Sequence, residues 1–208
     1  MRTDDLIRAL AADKVQPASV GSRLALLPLA LLVAGGLLLG IIGIRPDLGA
    51  ALMAPVTALK NLLPLALGLV ALILAVRLAR PGVSVPVAGL VVFPLVAAAL
   101  FAYGLTQMQM ADWGRGLMGR TAAFCVPAIV LTALLPLVAA MRAMRAGAST
   151  DPQRSGALTG LACGALATAI YALHCNEDNP LFFVTWYGLA ILIVAGIGAI
   201  LGRRLLRW

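Results

Sequence analysis

Six apolar stretches alternate with short polar breaks along this chain. They run over about 23–44, 55–78, 86–105, 121–141, 156–173 and 182–202. Each is close to the roughly 20 residues that a helix needs to cross a bilayer core. Lipid offers a backbone amide no partner, so each stretch is expected to be a helix. The pattern therefore predicts an all-α polytopic membrane protein, a six-transmembrane-helix bundle over residues 23–208. Residues 1–22 form a short polar arm ahead of it. This leader carries three aspartates and is followed by a run long enough to span, so a cleaved secretory signal is not expected.

Within the arm, Thr3 is placed to cap a helix, and Asp4 and Asp5 complement its positive end. Leu6, Ile7 and Leu10 fall on one face. A helix of this length is marginal alone, so a partner protein is expected to complete it, with those three residues as anchors. Val15–Gly21 reads as a linker.

Composition fits the hydropathy pattern. The chain has 208 residues, 62% of them hydrophobic and only 12% charged. Its net charge is +8. In a soluble protein that would suggest nucleic acid; here it reflects topology, and no direct nucleic-acid binding is expected. With the N-terminus cytoplasmic, twelve Lys or Arg residues fall on the cytoplasmic side and four on the other, namely Arg45, Lys60, Arg115 and Arg120. That bias orients both termini to the cytoplasm of a bacterial inner membrane. The loop His174–Asn179 then lies outside.

Rows of small residues, Gly36 and Gly40, Gly156, Gly160 and Gly164, and Gly198 and Gly202, would let helices approach closely, within the bundle or between copies in a homo-oligomer. Pro28, Pro64, Pro94, Pro127 and Pro136 fall inside apolar runs and are expected to kink them. Lys60 sits about one turn inside the second run and is expected to snorkel to the outer interface. Tyr103, Trp113, Trp186 and Tyr187 read as interfacial belt aromatics.

The candidate chemistry is at the outer end. Cys125 begins the fourth run and Cys175 follows the fifth, so opposite crossing directions bring both to the same face. A disulfide is one use for such a pair. A thiophilic ion held by Cys125, Cys175 and the sole histidine, His174, is the other. Met108, Met110, Met118, Glu177 and Asp178 lie nearby in sequence or topology as accessory ligands. Cys163 reads as packing. No obligate cofactor is expected, at most a transient metal ion. No CxxC, HExxH, GxSxG or phosphate-binding glycine loop is present, so no enzyme is expected.

Several strings resemble the NrsF family of membrane-bound negative regulators of an extracytoplasmic-function (ECF) sigma factor. They are Arg2-Thr3-Asp4-Asp5-Leu6, Arg45-Pro46-Asp47-Leu48, Tyr171-Ala172-Leu173-His174-Cys175 with Glu177-Asp178, Trp186-Tyr187 and the closing Gly202–Trp208. The resemblance implies an anti-sigma factor with six spans that sequesters its sigma factor at the membrane and releases it under heavy-metal or oxidative stress. It also implies that Cys125 and Cys175 are an outward-facing sensor pair. Asp4, Asp5, Leu6, Ile7 and Leu10 are then the sigma-factor-binding set. Two alternatives stand beside it: a small transporter or metal exporter, and a membrane thiol oxidoreductase. The first needs polar residues at mid-membrane, where the runs offer little beyond Thr132 and Thr159. The second needs a quinone or flavin site, and none is readable.

Overall fold

The computed structural model describes residues 2–12 and 20–207, with the side chains of Ala9 and Leu10 left out. The described residues are helical and contain no strand. The elements are α1 (Thr3–Ala12), α2 (Val20–Leu24), α3 (Leu26–Ile42), α4 (Leu48–Met53), α5 (Pro55–Leu78), α6 (Val92–Thr106), α7 (Trp113–Met118), α8 (Ala122–Met144), α9 (Pro152–Ala172) and α10 (Pro180–Leu205). Six helical stretches are long and apolar enough to cross a membrane. They are α2 with α3, α5, α6 with the short 3₁₀ turn before it, α7 with α8, α9, and α10.

Prolines and caps set the boundaries. Pro28 and Pro94 fall in the first turns of α3 and α6, where an N–H has no helical partner to lose. Neither kinks a helix interior, unlike the placement expected from sequence. Pro64, Pro127 and Pro136 do lie inside helices. The last two helices begin earlier than apolarity alone indicates. Asp151 caps α9 by accepting from the Arg154 amide at 3.0 Å, with Pro152 at its first position. Asn179 caps α10 by accepting from the Leu181 amide at 2.9 Å, again followed by proline. Thr3 is the first residue of α1, not its cap. The linker expected at Val15–Gly21 lies outside the described residues as far as residue 19, and Val20 and Gly21 open α2.

The core is built around α9, which packs on α10, α5, α8 and α3. Small residues make this central position accessible. A Cβ on Gly160 would stand 2.9 Å from the Ala195 Cα and 3.1 Å from the Gly198 Cα of α10. One on Gly202 would stand 2.8 Å from the Gly156 Cα. The two glycine rows thus interlock within the chain. On the other side, Gly68 of α5 receives Leu166 of α9. Gly36 and Gly40 face open space and take no part in this packing. Buried hydroxyls of Thr132, Thr159 and Thr168 each return to a carbonyl of their own helix, at 2.7–2.8 Å.

Loops at each end are tied together. At one end the Arg45 amide donates to the Leu173 carbonyl and the Arg120 amide to Glu177. At the other, the Ala148 amide donates to the Ala79 carbonyl. The first end carries the cysteine loop; the second carries the start of α9 and the close of α10.

Candidate functional site

The loop after α9 is held by charges. Arg45, which follows α3, lays its guanidinium across two carboxylates. Its Nε and Nη2 donate to Asp47 at 2.8 and 2.9 Å. Its Nη1 and Nη2 donate to Asp178 at 2.8 and 2.9 Å. Both pairings are two-pronged, the geometry that favours arginine for carboxylates. From below, the Lys60 ammonium of α5 donates to Asp178 at 3.0 Å and to the Cys175 carbonyl at 2.6 Å. Arg45 reaches the same carbonyl at 3.3 Å. Two positive and two negative side chains therefore form one neutral latch, and it grips the backbone of Cys175 itself.

This corrects the reading of Lys60. Its residue is only 1% exposed, and it turns inward to a carboxylate instead of snorkelling to the interface. A cation at membrane depth is stable when it finds such a partner. Arg45 is likewise buried. Burial pushes the Asp178 carboxyl up, but the hydrogen bonds from Arg45 and the charge and hydrogen bond of Lys60 outweigh it, so the group lies below the usual aspartate value. The hydrogen bonds from Arg45 lower Asp47 as well. The same carboxylates, Asp47 first and then Asp178, hold Arg45 firmly protonated.

Beneath the latch is a small packed cluster of thiols and phenols. Cys125 of α8 is 0% exposed and Cys175 is 3% exposed, and both belong to the main apolar core. The pair expected at the outer face does meet at one end of the bundle, but roofed over by the loop and not open to solvent. The two thiols are near enough to interact electrostatically, and both are free. Tyr171 and Tyr187 are near enough to the two thiols to interact with them electrostatically. The two phenol rings meet edge to face with centroids 6.0 Å apart. The Tyr187 oxygen is buried without a well-formed hydrogen bond. Tyr187 is therefore a core residue and not a belt aromatic. Trp113 and Trp186 are half-buried and donate to the Leu105 and Leu117 carbonyls, at 3.3 and 2.8 Å. Tyr103 is exposed.

The remaining sequence candidates scatter. His174 sits at the edge of the cluster, its ring centroid 6.0 Å from that of Tyr171 and its Nδ1 3.0 Å from the Gly43 carbonyl. Glu177 accepts from the Arg120 amide at 2.8 Å. The Met108 sulfur accepts from Asn179, and Met110 and Met118 are exposed. Among the described residues, no three of His, Cys, Asp and Glu sit close enough together to hold a metal ion. The turn that places this side of the site depends on Gly119, whose φ is +53° and whose Cβ position is filled by Phe182.

In the arm, Asp4 and Asp5 occupy the first turn of α1, and Leu6 and Ile7 are exposed. The Leu10 side chain lies outside the described residues.

Fold and site together define a polytopic α-helical membrane protein, with an exposed amphipathic helix ahead of its spans and a latched thiol cluster at one end of the bundle. The chain belongs to the NrsF family, described as negative regulator of sigma F, whose model matches residues 9–208. It is 38% identical over 215 aligned residues to the anti-sigma-F factor NrsF of Caulobacter vibrioides (strain NA1000 / CB15N), with 100% of both chains covered. It is 35% identical over 216 to the probable anti-sigma-F factor NrsF of Azospira oryzae (strain ATCC BAA-33 / DSM 13638 / PS), again over 100% of both. No solved structure matches.

Proposed function

We propose that this chain is an anti-sigma factor that holds an ECF sigma factor at the inner membrane and releases it when Cys125 and Cys175 meet heavy metal or oxidant. The observation that carries the first half is similarity along the full length to two relatives named for that role. The exposed Leu6 and Ile7 on α1, beside Asp4 and Asp5, support the arm as the grip. Positive-inside bias puts the arm and both termini in the cytoplasm.

The burial of both thiols shapes the sensing half. A reagent reaches them only if the Cys175 loop lifts, so the latch sets the threshold. As a disulfide, the two thiols surrender two electrons and two protons to the oxidant. As metal thiolates they surrender protons alone, to water. Either product differs in shape from two thiols packed between tyrosines. It changes how α8, α9 and α10 pack, and α9 and α10 continue to the cytoplasmic end. The signal thus requires two packings with different affinities for reagent and sigma factor.

The transporter reading loses ground on the threonines. Their hydroxyls are spent within their own helices instead of lining a path.

Co-purification with the sigma factor, with and without cadmium, tests the proposal. The complex should survive in buffer and separate with metal, and a C125S/C175S variant should keep the complex and ignore metal. A chain that never retains the sigma factor, or a double variant that still releases it, would overturn the respective half.

A further inference from the structure

At the end of the bundle away from the thiols, a second constellation stands apart from the function above. Arg23 of α2, Arg142 of α8 and Arg145, which caps the C-terminus of α8, line one hollow, where α2 packs on α8. All three are exposed, and among the described residues none of their guanidinium groups makes an ion pair or hydrogen bond. By contrast, Arg154 is paired with Asp151. The C-terminal dipole of α8 favours cations and accounts for Arg142 and Arg145 singly. It does not account for a third guanidinium brought from another helix with no carboxylate. Like charges gathered in one hollow repel, so the site is short of an anion.

What lies beneath the hollow says which kind of anion. Leu131, Leu135, Val138, Arg142 and Arg145 follow one another by four, three, four and three positions, which is one helix face. The three apolar members are all exposed. Across the hollow, exposed Leu26 stands one turn from Arg23. An apolar stripe therefore runs from the arginines toward the bilayer interior.

We infer that this hollow is a headgroup site for an anionic phospholipid. The guanidinium groups take the phosphate oxygens, and an acyl chain lies along Leu131, Leu135 and Val138. Paired N–H groups on a planar guanidinium match phosphate oxygens, and basic pockets between spans suit lipid headgroups. Inorganic phosphate would satisfy the charges and leave the stripe bare. So would an acidic protein surface.

Thermal unfolding and native mass spectrometry of the purified full-length chain in detergent test this. Phosphatidylglycerol should raise Tm and remain bound as discrete copies. Phosphatidylcholine and inorganic phosphate at equal concentration should do neither. The R23Q/R142Q/R145Q variant should bind phosphatidylglycerol about tenfold more weakly, and R23K/R142K/R145K should keep most of the binding. Equal effects of phosphatidylcholine or inorganic phosphate would overturn the assignment. So would a glutamine variant that binds lipid normally but loses the sigma factor, an outcome that gives the hollow to a protein partner. If the glutamine variant does not fold, the comparison of lipids on the unaltered chain decides alone.

Discussion

The Lys60 ammonium and the Asp178 carboxylate are separated by 118 positions and meet at 3.0 Å, with the Cys175 carbonyl on the same ammonium at 2.6 Å. A span and a loop are thereby joined at one residue's backbone. Removing the lysine leaves the Asp178 carboxylate to Arg45 alone and costs the Cys175 carbonyl the shorter of its two hydrogen bonds. K60M should destabilise the chain by about 2–3 kcal/mol, the scale of a hydrogen bond to a charged group. It should also speed alkylation of Cys175 by a maleimide. Melting curves and labelling rates read these, and an unchanged labelling rate would mean that the latch does not guard the thiol.

The thiol pair makes a separate prediction. Mild oxidation with diamide should give an intramolecular disulfide, seen by mass spectrometry of peptides. The bridge should join Cys125 to Cys175, fail in either serine variant, and persist in C163S, because Cys163 lies apart within α9. A bridge that uses Cys163 would contradict this arrangement.

Acid should loosen the latch. The Asp178 carboxyl lies below its ordinary value, so its contribution is complete above the unfolded aspartate pKa of about 3.9. It is lost as pH falls through the lower folded value. Asp47 follows the same sign. Melting temperature should therefore hold level from neutrality to about pH 5 and drop below about pH 4. In D178N the drop should be shallower, starting from a lower plateau.

The two glycine environments should part sharply on substitution. G160V must force α9 away from α10, where overpacking costs about 1–3 kcal/mol or more. G36A and G40A meet nothing within 4 Å and should stay within about 0.5 kcal/mol of the parent. A melt of each in one detergent checks both.

Exposed α1 should be dispensable for folding. L6D/I7D should leave Tm unchanged and abolish retention of the sigma factor. Retention by that variant would move the grip elsewhere on the cytoplasmic end.

Periodicity and length exposed the six spans because lipid leaves a backbone so few options. They missed the true starts of α9 and α10, since Asp151-Pro152 and Asn179-Pro180 begin helices by capping, ahead of the first apolar residue. Opposite crossing directions brought Cys125 and Cys175 to one end, yet direction carries no information on burial, which depends on the loop above. Arg45 and Lys60 were the harder misses. Each is a cation on the side poor in cations, and Asp47 and Asp178 lie at the same end. That charge balance was readable, but the two-pronged pairing requires a fold. His174 lies beside Tyr171 and meets the Gly43 carbonyl, a placement that its adjacency to Cys175 in sequence does not reveal.

One last consequence concerns the order of assembly. The helix that packs on four of the other spans, α9, has the lowest mean hydropathy of the six. Entering a bilayer on its own, it would gain least from the surrounding acyl chains, and its glycine row would face lipid unfilled. Its natural lodging is against α10, which leaves the ribosome after it. The fifth crossing is therefore expected to wait on the sixth before it settles.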